Sequence, residues 1–152
     1  MTLYVHALGH FHPDNEISNK FLEELDIGTD DSWIRERVGI RSRRTVLPLD
    51  YIRETKNRDI RAATEAAEYT TSEMAARAAE LAIQRAGISK SDIGMVIGGS
   101  SAPTSATPAD TCLVSKILGL EVPTFDVNSA CTTFLVQMHL LNSMRLDALP
   151  RY

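Results

Sequence analysis

One cysteine stands where a nucleophile would be placed. It lies in the stretch Thr124-Phe125-Asp126-Val127-Asn128-Ser129-Ala130-Cys131-Thr132-Thr133-Phe134. Thr124 to Val127 is a β-rich apolar run after Pro123 and predicts a strand. Asn128 and Ser129 are turn and N-cap residues. From Phe134 the apolar positions recur at helical spacing, at Met138 and Leu141, with Leu135 and Val136 widening the stripe. With Ser129 as the cap, Cys131 falls in the first turn of that helix. Unpaired backbone N–H groups and the positive end of the macrodipole favour an anion there. The same N–H groups can receive a developing oxyanion. The chemistry this allows is acyl transfer, in which a sulfur nucleophile attacks a carbonyl and holds the acyl group. The competing reading is an ordinary packed cysteine, because Cys is among the most buried residue types.

The second thiol, Cys112, falls mid-helix on an apolar stripe, and packing is its expected role. Two cysteines make no disulfide framework, which suits a cytoplasmic chain. Arg35, Arg37, Arg41, Arg43 and Arg44 form the one local charge anomaly in a chain of net charge −4. Such a patch can meet phosphates or an acidic partner, or it can be a solvated face balanced by Glu36 and nearby aspartates. His10 and His12 lack a third ligand nearby, so no metal site is expected. Gly98-Gly99 lacks the lysine and spacing of a phosphate loop. The net charge and the absence of any nucleic-acid motif argue against a nucleic-acid partner. No apolar run reaches membrane-spanning length, and the first residues do not read as a signal peptide.

The remaining elements must position the cysteine. The 152 residues are the length of one domain, and no second domain or low-complexity segment is expected. Leu3 to Leu8 predicts a first strand, and Ser18 to Leu25 a short helix. Asp30 or Asp31 caps a helix over 32–38 that Gly39 ends, with Trp33, Ile34 and Arg37 on one face. Ile40 to Val46 predicts a short strand. Leu49 to Tyr69 predicts a loop with a helix from about Ile60 to Ala67. Thr70-Thr71-Ser72-Glu73 is a capping box, opening a helix with a polar face at Glu73, Arg77, Glu80 and Gln84 and alanines over much of the rest, Ala75 among them. Gly87 ends it. Ile93 to Gly99 predicts a strand buried on both faces. After the small-residue loop from Ser100 to Ala106, Thr107-Pro108-Ala109-Asp110 starts a helix, with Pro at N1. Ala109, Cys112, Leu113, Ile117 and Leu118 form its expected inner face, and Gly119 stops it. The alternation implies an α/β fold with a mostly parallel sheet and helical crossovers. Sites in such sheets lie beyond the carboxyl ends of strands, where both the 100–106 loop and the 128–131 turn fall.

Several of these pieces, in this order, resemble the amino-terminal half of β-ketoacyl-acyl carrier protein synthase III, a thiolase-fold family of condensing enzymes. They are Trp33-Ile34-Arg35-Glu36-Arg37-Val38-Gly39-Ile40, Gly98-Gly99-Ser100, Thr107-Pro108-Ala109, Leu118-Gly119 and Phe125-Asp126-Val127-Asn128-Ser129-Ala130-Cys131. The cysteine segment is the most specific. The resemblance implies a layered, mostly parallel sheet with a buried helix bearing the nucleophile. It implies that Cys131 accepts an acyl group from a thioester. A malonyl or β-ketoacyl thioester on acyl carrier protein then attacks the acyl-cysteine and forms a carbon–carbon bond. Trp33 matches a residue that stacks on the adenine of coenzyme A, Arg37 one beside it, and Thr29 a lining position of that cleft. No cofactor is implied; coenzyme A or phosphopantetheine thioesters are substrates.

Two departures point from fatty-acid synthesis toward polyketide-like secondary metabolism: the longer stretch over 49–69, and Thr132-Thr133 in place of a small pair. The family also needs a histidine and an asparagine, or two histidines, from a second half. His139 lies eight residues past Cys131 on one helix, about 12 Å away at 1.5 Å per residue. His6, His10 and His12 match no catalytic position. The expectation is therefore the amino-terminal half, residues 1–152, of a homodimeric enzyme, with a carboxy-terminal half as partner. Two alternatives stay open: a non-catalytic half of a thiolase-fold complex, or an acyltransferase that does not condense.

Overall fold

The computed structural model of the protein describes residues 3–104, 107–145 and 147–152. These fall into two compact units, one of His12–Thr70 and one of Met1–Phe11 with Thr71–Tyr152.

In the His12–Thr70 unit, β1 (Glu16–Ser18) pairs antiparallel with β2 (Ser42–Arg44), in the register Ile17 to Arg43. Ser18 caps α1 (Asn19–Glu24) by accepting from the Phe21 N–H at 3.1 Å. Asp30 caps α2 (Asp31–Val38), accepting from the Trp33 N–H at 2.8 Å. Gly39, at φ 70°, ends α2 in the left-handed region where glycine carries no Cβ penalty. Buried Asn19 fixes these pieces together. Its Nδ2 donates to Asp31 Oδ1 at 2.8 Å and to the Ile40 carbonyl at 2.7 Å. Phe21, Leu25, Leu47 and Ile52 form the core. Burying side chains of this size stabilises by about 1.5–3 kcal/mol each.

Two helices follow, α3 (Leu49–Thr55) and α4 (Ile60–Ala66). The second was expected; α3 was read as loop. Two turns offer too few repeats for a periodicity to show, its cap Pro48 makes no side-chain bond, and Ile52 is its one buried residue.

In the other unit, Leu3 to Leu8 is not a strand, contrary to expectation. A strand needs a ladder partner, and this backbone lies along a helix instead. That helix is α5 (Thr71–Ala86). A Cβ on Gly9 would meet Ala82 N at 2.6 Å and the Ala78 carbonyl oxygen. Arg85 Nη1 donates to the Leu8 carbonyl at 2.9 Å. The polar face of α5 is exposed as expected, but so is Ala75; Ala76 and Ser72 are the buried positions. β3 (Val96–Gly98), α6 (Asp110–Leu118) and β4 (Thr124–Asp126) make a parallel crossover unit, in the register Ile97 to Phe125. The described strands thus form two two-stranded sheets, one of them parallel, rather than one larger sheet.

Three burial expectations change. β3 is half-buried rather than buried on both faces. An apolar hollow of about 340 Å³ lies against it, lined by Met95, Ile97, Phe134, Met138 and Leu141 among others. The inner face of α6 is Thr111, Val114, Ser115 and Leu118, while Cys112 and Ile117 are exposed. α6 starts at Asp110, not after Thr107, with Pro108 and Ala109 outside it, and its buried side is the one that packs against α5 and β4. The small inner residues let α6 approach the alanines of α5, and Ala76, Val114 and Leu118 form the shared core. Finally, α7 (Thr133–Ser143) has no buried residue, although its sequence is apolar nearly all round. Among the described residues nothing covers its outer side, and Phe134 and Leu135 are 59% and 67% exposed.

Candidate active site

The site is built at the carboxyl end of the β3–β4 pair. Val127 N–H donates to the Gly98 carbonyl at 2.7 Å, which carries the parallel ladder one residue past β4. The chain then turns. Ala130 sits at φ 46°, left-handed and unfavourable for a residue with a Cβ by roughly 1–2 kcal/mol. Ala130–Thr132 forms one 3₁₀ turn, and α7 follows. Ser129, expected as a helix cap, makes no side-chain cap bond. Its hydroxyl lies 3.0 Å from Thr132 Oγ1 instead. Cys131 therefore lies in the 3₁₀ turn that leads into α7, and its thiol is exposed. The packed-cysteine reading does not hold for either thiol in this chain, since Cys112 is exposed too. Cys112 Sγ is 3.3 Å from Thr124 Oγ1.

The hydrogen bonds of the turn are allotted residue by residue. Ser129 N–H donates to Thr133 Oγ1 at 2.8 Å, and Ala130 N–H to Asn128 Oδ1 at 3.0 Å. Thr132 N–H donates to the Ser129 carbonyl at 3.0 Å, and Thr133 N–H to the Ala130 carbonyl. Among the described residues nothing accepts from the N–H of Cys131. Four neighbours are satisfied, and the cysteine alone keeps a donor beside its own sulfur. That is the arrangement an oxyanion requires.

Two neighbouring segments hold this turn. Asn128 Nδ2 donates to the Ser100 carbonyl at 2.8 Å, joining the turn to the loop after β3. Gly99 is required there. A Cβ on it would meet Thr133 Cγ2 at 2.6 Å, Gln137 Nε2 at 3.1 Å and the Val127 carbonyl oxygen. Gln137 itself donates to that carbonyl at 3.1 Å. Asp126, the last residue of β4, caps α6 from outside the helix. It accepts from the Asp110 N–H at 2.8 Å, the Thr111 N–H at 3.2 Å and the Thr111 hydroxyl at 2.7 Å. Asp110 in turn accepts from the Thr104 N–H at 3.2 Å. The last two residues of the 100–106 loop, Ser105 and Ala106, lie outside the described residues. Sequence reasoning missed Asp126 and Asn128 as builders of the site. Their signal was a carboxylate and a carboxamide at a strand end, which reads equally well as turn chemistry.

Thr29, Trp33 and Arg37 belong to the His12–Thr70 unit. Trp33 and Arg37 come together one turn apart on α2. The guanidinium carbon lies 5.1 Å from the ring centroid, and the indole is 51% exposed. Ile34 does not share that face; it is buried. Thr29 Oγ1 is buried with no hydrogen-bond partner. Of the other arginines, Arg35 pairs with Asp31 at 3.5 Å and Arg44 with Glu16 at 3.1 Å, so part of the patch is balanced by acids as a solvated face would be. Arg43 Nη1 is buried and unpaired. His139 is exposed on α7, and the His6 ring packs against Tyr152. Among the described residues no helix is long and apolar enough to cross a membrane.

No family model matches the chain. It is 34% identical over 139 residues to β-ketoacyl-[acyl-carrier-protein] synthase III of Chlamydia caviae, covering 91% of this chain and 36% of that protein. Its fold matches the crystal structure of 3-oxoacyl-[acyl-carrier-protein] synthase III from Aquifex aeolicus. The TM-score there is 0.72 at 28% identity, covering 90% of this chain and 38% of that one. It also matches the priming β-ketosynthase of the R1128 polyketide biosynthetic pathway, with a TM-score of 0.71 at 25% identity, over 89% of this chain and 35% of that one. The chain thus spans about a third of the length of the curated relatives it matches. Over that span it is similar in sequence and in fold to the thiolase-fold β-ketoacyl-acyl carrier protein synthase III proteins.

Proposed function

We propose that Cys131 is the nucleophile of a condensing acyltransferase working in fatty-acid or polyketide-like synthesis. The observation that carries this reading is the exposed thiol beside its own unpaired N–H, in a turn where the Ser129, Ala130, Thr132 and Thr133 N–H groups are engaged. The thiolate attacks the carbonyl carbon of an acyl thioester. A sulfur–carbon bond forms, and the carbonyl oxygen becomes an oxyanion that the Cys131 N–H receives. Collapse of the oxyanion expels the donor thiolate, which takes up the proton that Cys131 gave to solvent. The acyl-cysteine is then attacked by the carbanion that a malonyl thioester leaves on losing carbon dioxide, or that a β-ketoacyl thioester leaves on losing a proton. A carbon–carbon bond forms and Cys131 departs as thiolate. The groups that assist this second step are assigned to the part of such a protein that this chain does not span.

Coenzyme A or carrier-protein phosphopantetheine would carry the acyl groups, with no further cofactor. Trp33 is proposed as the stacking surface for adenine, with Arg37 on the same ring and the Thr29 hydroxyl nearby in the chain. The bare apolar face of α7 suits cover by the remainder of the protein, in a homodimer.

Incubation with a short-chain acyl-coenzyme A, followed by peptide mass mapping, tests the nucleophile. One acyl group is expected on Cys131 and none in Cys131→Ala. Acylation of Cys112 instead, or of neither thiol, would sink the reading. Product release on adding a malonyl thioester separates condensation from simple transfer.

A further inference from the structure

We infer that Thr133 is a positioning residue for acyl transfer at Cys131, acting through the backbone of the turn; this rests on the nucleophile reading above. The side chain does two jobs. Its hydroxyl oxygen accepts from the Ser129 N–H at 2.8 Å, and its single proton goes to the Ala130 carbonyl at 2.8 Å or to Asn128 Oδ1 at 3.1 Å. Its methyl Cγ2 fills the space over Gly99.

The hydroxyl therefore closes a ring. Asn128 Oδ1 holds the Ala130 N–H, Thr133 Oγ1 holds the Ser129 N–H, and Thr133 Oγ1 reaches the carbonyl of left-handed Ala130. Ala130 has no side chain of its own that could hold φ 46°, and the conformation is uphill for it. The bonds on either side supply the restraint. The consequence is at the next residue. With 129, 130, 132 and 133 engaged, the unpaired donor is the Cys131 N–H, and its direction is set by the Ala130 backbone. A loosened turn would leave the thiol exposed but would let that N–H swing away from the oxyanion.

This separates two reactions of one sulfur. Alkylation by iodoacetamide displaces iodide at a saturated carbon and develops no oxyanion. Acylation by a thioester does develop one. Thr133→Val keeps the methyl over Gly99 and removes the hydroxyl; Thr133→Ser restores the hydroxyl. In Thr133→Val, acylation of Cys131 by a butyryl N-acetylcysteamine thioester should slow about tenfold or more, the scale of losing an oxyanion donor. Alkylation of Cys131, scaled to Cys112 in the same sample, should change by less than about twofold, because it needs no such donor. Thr133→Ser should recover most of the acylation rate. A fall in both reactions together, or no fall in either, overturns the inference.

Amide hydrogen exchange gives an arm that does not need acylation. The Ser129 N–H should be protected in the wild-type protein and in Thr133→Ser, and should lose protection in Thr133→Val. Equal exchange in all three overturns the positioning role even if Cys131 proves to be the nucleophile. A wild-type protein that accepts no acyl group refutes the nucleophile reading, and with it the catalytic part of this one. Loss of Ser129 protection in Thr133→Val would then still support the hydroxyl as the clamp of the turn.

Discussion

Replacing Asp126 with Ala should destabilise the unit that carries Cys131, although no substrate role is assigned to Asp126. Its carboxylate takes two backbone N–H groups at the start of α6, at 2.8 and 3.2 Å, and the Thr111 hydroxyl at 2.7 Å. The donors are dry, since Asp110 is 6% and Thr111 3% exposed. Losing a helix N-cap costs about 1–2 kcal/mol. Leaving the buried Thr111 hydroxyl unpaired adds about 1 kcal/mol. Relief of repulsion with the neighbouring Asp110 carboxylate returns a few tenths, on the order of a like-charge pair near a helix end. The sum is about 2–3 kcal/mol. With a urea slope of about 1–3 kcal/mol per molar, the unfolding midpoint should fall by about 1 M. Asp126→Asn, which keeps one acceptor oxygen, should lose roughly half as much. Hydrogen exchange at the first amides of α6 should rise in both variants, and more in Asp126→Ala. A midpoint shift below about 0.3 M, with those amides still protected, would show that water replaces the carboxylate and would refute the cap.

Two further substitutions test neighbouring parts of the structure. Gly99→Ala should destabilise the protein by about 1–3 kcal/mol, as overpacking does, because the Val127 carbonyl oxygen in its way is backbone and cannot rotate aside; an unchanged melting temperature would count against the close approach. Trp33→Ala or Arg37→Ala in the active enzyme should raise KM for a coenzyme A thioester more than it lowers kcat, since stacking would be equal in ground and transition states. An unchanged KM would make the Trp33–Arg37 pair a surface contact only.

The helices with their own punctuation were legible from local chemistry. Asp30, one of the two expected candidates, caps α2 and Gly39 ends it, and Gly119 stops α6 in the left-handed region as expected; Ser18, expected inside the first helix, is its cap. The stretch around Cys131 was legible as strand, turn and helix from its β-rich run, its turn residues and its apolar spacing, although Ala130 sits in a conformation that its residue type disfavours. α3 was not, because two turns are too short to display a period. The inner face of α6 was misassigned by about one residue, because the side that is buried is set by packing against α5 and β4, elements apart from it in the chain.

That last case marks the division in this protein. Residue types and spacing alone determined that a cysteine follows a strand and precedes an apolar helix, and the motifs along the chain carried the resemblance to β-ketoacyl-acyl carrier protein synthase III. Local propensities act through neighbours in sequence and need no fold. Only the tertiary structure decided which groups pair across that turn. Asp126 reaches α6, Asn128 reaches Ser100, Gly99 admits Thr133, and the Cys131 N–H is the donor left over. The first three of these depend on two segments, distant in the chain, being brought within hydrogen-bond or van der Waals reach. No pattern within one segment records that distance.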